Sequence, residues 1–171
     1  MPPKRPRGME RILIASILAV AILGGCSAAP LTPAAVRPTL DSLSALGLGC
    51  SDPTVDNVPS GLLQWSCRGA VRNASLTVAV DGDDAGVFGI VAQVPGATDA
   101  ATAGQVFADL VASMPPLAPN RNEIQGWVQR WDGRAESLET AAAHLQIQRD
   151  ATWITLAIAP GSPAGFPPGD R

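Results

Sequence analysis

The sequence predicts an α+β domain, an antiparallel sheet of about five strands with helices packed on one face, in the order α-β-β-β-α-α-β-β. Three observations carry this. Alternating, β-rich segments follow one another from Leu63 to Val94 with only short turns between them, and strands joined by short turns must run antiparallel. A helical stripe, Phe107, Leu110, Val111 and Met114, comes next. The chain then closes on two further alternating runs, His144–Gln148 and Thr152–Ala159, separated by a turn around Arg149–Ala151.

The elements can be justified in order. Thr39 is placed to cap a short helix carrying Leu40, Leu43 and Leu46 on one face, with Gly47 and Gly49 available to end it before Cys50. Leu63, Trp65 and Cys67 alternate as in a half-buried strand. Leu76, Val78 and Val80 share one face of a second strand, and residues 86–94 form a third. A helix is expected from Thr98 to the stop at Pro115 and Pro116, since proline lacks the N–H that a helix interior requires. Ile124, Trp127, Val128 and Trp131 fall at i, i+3, i+4 and i+7, which favours a helix over residues 120–132 with Asn120 and Glu123 as a capping box and Gly133 as its stop. Leu145 and Ile147 should then face Ile154, Leu156 and Ile158 in the terminal hairpin.

The domain so defined covers residues 39–159 of the 171. Ahead of it, residues 26–38 hold three prolines among small residues and read as an extended spacer. Behind it, residues 160–171 carry too much proline and glycine for a helix or strand and read as a disordered tail.

Residues 1–25 have the layout of a secretory signal. Lys4, Arg5, Arg7 and Arg11 precede an uncharged run, Ile12–Leu23, which as a helix would span about 18 Å against about 30 Å of bilayer hydrocarbon. Translation from Met9 instead of Met1 would preserve this logic. The run ends in Leu23, Gly24, Gly25 and Cys26. This quartet resembles the lipobox of bacterial lipoprotein precursors: an aliphatic residue, two small residues and a cysteine. The resemblance covers residues 1–26 and implies diacylglyceryl attachment to Cys26 through a thioether, with cleavage between Gly25 and Cys26. It implies a chain anchored by lipid outside the cytoplasm, in the outer membrane where the cell has two, since Ser27 and not aspartate follows the cysteine. The alternative is an ordinary signal cleaved near Ala28 or Ala29.

Removing Cys26 leaves Cys50 and Cys67, an even pair in an oxidising compartment, which predicts a disulfide. A two-cysteine metal site and a free thiol nucleophile are both disfavoured, because His144, the only histidine, is far away in sequence and no C-x-x-C spacing occurs.

Loss of Lys4, Arg5, Arg7, Arg11 and Glu10 with the signal leaves eight basic and fourteen acidic residues, net minus six. The remaining arginines are dispersed, which argues against nucleic acid as a partner. The segment Asp81–Gly86 places aspartates at positions one and three of a calcium loop and glycine at six. Ala85 and Ala92 stand where further oxygen ligands are needed, so a tight exposed turn is the better account. Asn73-Ala74-Ser75 reads as a chance glycosylation triplet. His144 reads as a strand residue on a solvated face and not as a general base. No nucleophile elbow, P-loop or dinucleotide-binding glycine motif is present in the sequence.

Trp127 and Trp131 remain as a candidate binding surface. One turn apart on a helix, they would form an aromatic platform for glycan rings or a protein, or else pack on the sheet together with Ile124 and Val128. The expected function is a non-catalytic, lipid-anchored binding module without cofactor or metal, facing an envelope protein or wall polymer. The alternatives are a carrier of lipid or another apolar molecule, and an enzyme built on dispersed carboxylates such as Asp81, Asp83 or Glu123.

Overall fold

The computed structural model describes residues 36–55, 62–84 and 86–161. The signal segment, Cys26, most of the spacer and residues 162–171 lie outside the described residues.

The first helix, α1, spans Arg37–Ala45 and so begins inside the segment that reads as spacer. Pro38 sits in its first turn, where a missing N–H costs nothing, and the N–H groups of Thr39 and Leu40 return to the carbonyl of Val36. Thr39 is therefore a buried helical residue and not the cap. Gly47, at φ +91°, turns the chain out of the helix into β1, Gly49–Cys50. Three long strands follow, β2 (Leu63–Val71), β3 (Ala74–Asp83) and β4 (Gly86–Pro95). Helix α2, Ala100–Ser113, starts two residues later than the sequence suggests, because Asp99 caps it: its carboxylate accepts from the Thr102 N–H at 2.9 Å, while Thr98 is held in a turn by the carbonyl of Pro95.

Pro115–Asn120 continues as a 3-10 helix straight into α3, Arg121–Gln129. With the chain already helical on entry, Asn120 caps nothing through its side chain, and its amide instead donates to the Glu123 carboxylate at 3.5 Å. The last strands are β5 (Glu136–Glu139), β6 (Ala143–Arg149) and β7 (Trp153–Pro160).

The α+β class holds, but the sheet has seven strands, not about five, in the order β1-β2-β3-β4-β7-β6-β5, all antiparallel. Both unforeseen strands are short edges. The first has two residues, and the other carries a glutamate at each end around a single apolar residue, Leu138. Neither alternates strongly enough to declare itself, and each is a strand because a longer neighbour pairs with it. Short, charged edges also discourage pairing with other chains.

Register builds the core. Cys67, Val78, Ala92, Leu156 and Ile147 stand side by side across five strands, all buried. The helices cover this face: α2 lies against β3 and α3, while α1 touches α2 and β1. Phe107, Leu110, Val111 and Met114 are fully buried, as their spacing requires. Between the helices the backbones come close, since a Cβ on Gly104 would lie 2.6 Å from the Val128 carbonyl oxygen.

The disulfide joins Cys50 to Cys67, directly opposite each other in the β1–β2 register. It fastens the end of α1 to the covered face of the sheet. A second clip is the ion pair from Arg72, in the β2–β3 turn, to Asp109 on α2, at 2.5 and 3.1 Å.

Candidate functional site

Two surfaces offer themselves: the sheet face that none of the described helices covers, termed the uncovered face, and a groove beside α1. Strand alternation turns every second residue away from the helices. On that face Arg68, Thr77, Gln93, Thr155 and Gln148 form one row in register, and Ser66, Ala79, Val91, Ala157 and Gln146 the next. The face thus combines amides and hydroxyls with a low centre of small side chains. Thr155 is buried within it, and the Gln93 amide reaches its hydroxyl at 3.4 Å. His144 stands on the same face, half-buried and paired with Glu139, which agrees with its reading as a strand residue.

A third row contains Gln64, Asp81 and Gly89. Asp81 is not part of an exposed turn: β3 runs through it to Asp83, and it is only 3% exposed. The Gln64 amide donates to its Oδ1 at 2.8 Å, and Gly89 leaves room for Oδ2, to which a Cβ there would stand at 3.4 Å. Burial raises the Asp81 carboxyl above the ordinary carboxylate range, and the Gln64 hydrogen bond opposes this in part. The folded protein therefore holds this proton more tightly than the unfolded chain does. Its contribution to stability is complete below the unfolded carboxyl range and disappears as pH rises through the raised folded value. Asp81→Asn, which keeps an oxygen for Gln64, is expected to stabilise the protein at neutral pH. Its advantage over the parent should shrink as pH falls to about 3. Denaturant midpoints of both proteins across this range test it, and a difference that fails to grow with pH would contradict the assignment.

The groove lies where the covered face runs out from under α1. Val36, Leu40, Leu63 and Trp65 line it, with Arg37, Asp41, Asp83 and Asp84 at its rim, enclosing about 350 Å³. Each element contributes by its period: Leu40 is one turn on from Val36, and Leu63 and Trp65 alternate along β2. Trp65 is half-buried against the core, and Asp83 accepts from the Gly86 N–H at 3.1 Å.

The carboxylates named as dispersed catalytic groups fall on different features of the structure. Asp81 belongs to the uncovered face, Asp83 to the groove, and Glu123 to a shallow dimple at the start of α3. The Arg121 Nε in that dimple's wall is buried without a partner among the described residues, but among those residues only the consecutive stretch 118–123 lines the dimple. No grouping of three or more metal-ligating side chains occurs among the described residues.

The two tryptophans also part company. Trp131 is 4% exposed, donates its indole N–H to the Arg134 carbonyl and has the Arg149 guanidinium 5.6 Å from its ring centre. Trp127 is half-buried against the core. Ile124 and Val128 are fully buried, so the stripe faces inward and the pair presents no exposed platform. The groove tryptophan, Trp65, received no functional weight from the sequence, because its alternation with Leu63 and Cys67 is equally that of a core strand.

Comparison with known proteins finds no matching family model, no matching curated protein and no matching solved structure.

Proposed function

We propose that the protein is a lipid-anchored binding module of the cell envelope, held to the membrane through Cys26 and using its uncovered sheet face to engage an envelope protein or wall polymer. The observation that carries the binding half is the chemistry of that face. Its glutamines and threonines supply neutral donors and acceptors around small side chains, the surface that a hydroxyl- or amide-rich partner requires. Among the described residues the layer between sheet and helices is lined by buried apolar side chains that pack against one another, which supports a surface binder over a carrier.

The anchoring half rests on Leu23-Gly24-Gly25-Cys26. Two acyl chains bind a bilayer stably, whereas the apolar run is too short for an ordinary span. Cys26→Ser is expected to release the protein from the membrane fraction or leave an uncleaved precursor. Fractionation with intact mass measurement checks it, and unchanged membrane partitioning with normal cleavage would refute the anchor. A photo-crosslinking residue at Gln146, on the uncovered face, should capture a partner in intact envelopes. Equal capture from an exposed helix position such as Ala112 would refute the assignment of that face.

A further inference from the structure

We infer that the uncovered face binds a neutral acetamido-sugar strand, with one sugar ring stacked on Trp153 and its substituents paired with the row that holds Gln93 and Gln148. The inference rests on the reading of that face as the binding surface and names its ligand.

Trp153 is the exposed aromatic among the described residues, at 37%. Ile154 and Leu156 are buried on the covered face, so alternation turns Trp153 and Thr155 to the other side. The Trp153 backbone is fixed twice over: its N–H donates to the Asp150 carboxylate at 2.8 Å, and its carbonyl accepts from the Asp150 N–H at 2.9 Å. With both backbone groups engaged, the exposure belongs to the side chain. A ring carried on a fixed strand loses little freedom when a ligand covers it.

The surroundings of that ring select the occupant. Pro95 is its partner across β4, and the adjoining row runs Gln148, Thr155, Gln93 and Thr77 in register before it reaches a charge at Arg68. A charged ligand finds a counter-charge only at the far end of this row, whereas a neutral one needs none. The C–H face of a pyranose stacks on an indole, and the hydroxyls at the edge of the sugar then meet donors and acceptors beside it. The glutamines extend the match to an acetamido group, because two amides pair through one donor and one acceptor each. Gln93 spends one N–H on the Thr155 hydroxyl and keeps its carbonyl oxygen and second N–H. Strands lie about 4.8 Å apart, close to the length of one sugar unit, so a glycan laid across the sheet meets a new side chain at each ring. A protein partner would instead favour an aromatic anchor seated in a desolvated pocket at the centre of a large contact, not one exposed at the end of a sheet.

Position agrees with this ligand. The chain enters at the other end of the sheet, where Val36 packs so closely on β3 that a Cβ on Gly82 would lie 2.3 Å from its Cγ2. From there β4 runs about 30 Å to Pro95. With Cys26 as the anchor, the tether meets the domain at the end remote from Trp153, which sets Trp153 on the wall side and away from lipid headgroups.

The test uses the full chain labelled with 5-fluorotryptophan, solubilised in a polyoxyethylene detergent and titrated with chitotetraose, the neutral tetramer of N-acetylglucosamine. Of the four tryptophans, only the fluorine signal that vanishes in Trp153→Leu should move. Trp153→Leu keeps apolar bulk without a flat ring and should weaken binding, read by saturation transfer to the sugar, by about tenfold or more, while Trp153→Tyr should retain most of it. Gln148→Ala, which leaves the ring in place, should weaken binding several-fold. Raising sodium chloride from about 50 to about 300 mM should leave the affinity unchanged, because no ion pair is there to be screened. A Trp153 signal indifferent to the tetramer, full affinity in Trp153→Leu, a several-fold loss with salt, or movement confined to the Trp65 signal would overturn the proposal. Capture of a polypeptide at Gln146 without any response of Trp153 to sugar would overturn it too, assigning the face to a protein while leaving it the binding surface. Equal capture from Gln146 and Ala112 is instead the failure of the face itself, so the two failures are distinguishable.

Discussion

Trp131→Ala is expected to destabilise the protein by about 3–5 kcal/mol, the usual cost of deleting a large aromatic from a packed core and a large share of a small domain's total. The indole is 4% exposed and occupies the position where the chain leaves α3 and heads for β5. Removing it creates a cavity at the margin of the core, and it frees the Arg134 carbonyl and the Arg149 guanidinium that the ring now engages. Trp131→Phe should recover most of the loss, since it restores the packing and sacrifices chiefly the indole N–H bond, worth about 1 kcal/mol. Denaturant unfolding of the three proteins decides the matter. A midpoint unchanged by the alanine would mean that the ring contributes no packing and would return it to consideration as a binding residue.

Loss of the Cys50–Cys67 bridge should come next in size, at about 3 kcal/mol for a closure of 17 residues, with a range of about 2–5. The expected effect is local as well as global. With only two residues, β1 has little else to hold it to the sheet, and α1 is continuous with it through Gly47. Replacing both cysteines with alanine is the cleaner variant, because Cys67 is fully buried and a lone thiol there would confuse packing with reactivity. Hydrogen exchange in the double variant should rise first in α1 and β1, before the central strands. If protection falls evenly over the whole sheet, the bridge is not the fastener of this corner.

Elements that are long and strongly periodic are written in the amino-acid sequence. The α2 stripe, the three consecutive strands and the final hairpin were legible because each repeats its own period often enough to bury one face whatever lies opposite. The cysteine pair was legible for a different reason: two cysteines remained once Cys26 was assigned, and one stood at the end of a helix while the other lay on a strand's covered face. Helix starts are less legible. Thr39 and Asn120 both look like caps in isolation, but Pro38 and the preceding 3-10 helix had already set the chain into helical geometry.

Other features arise from the packing of whole elements. The strands β1 and β5 exist because neighbours offer them a ladder, and the adjacency of β4 with β7 follows from how the α2–α3 excursion returns to the sheet. Asp81 illustrates the limit most clearly. Its run of Asp and Gly has the composition of an exposed turn, yet β3 extends two residues further than the turn signal suggests and carries its carboxylate into a buried row beside Gln64. The groove was equally hidden, because Leu40, Trp65 and Asp84 belong to three separate elements and share no local pattern. Local periodicity reports which face of an element is buried, but the position where two buried faces fail to meet depends on the packing of whole elements, and that is fixed only when the chain has folded.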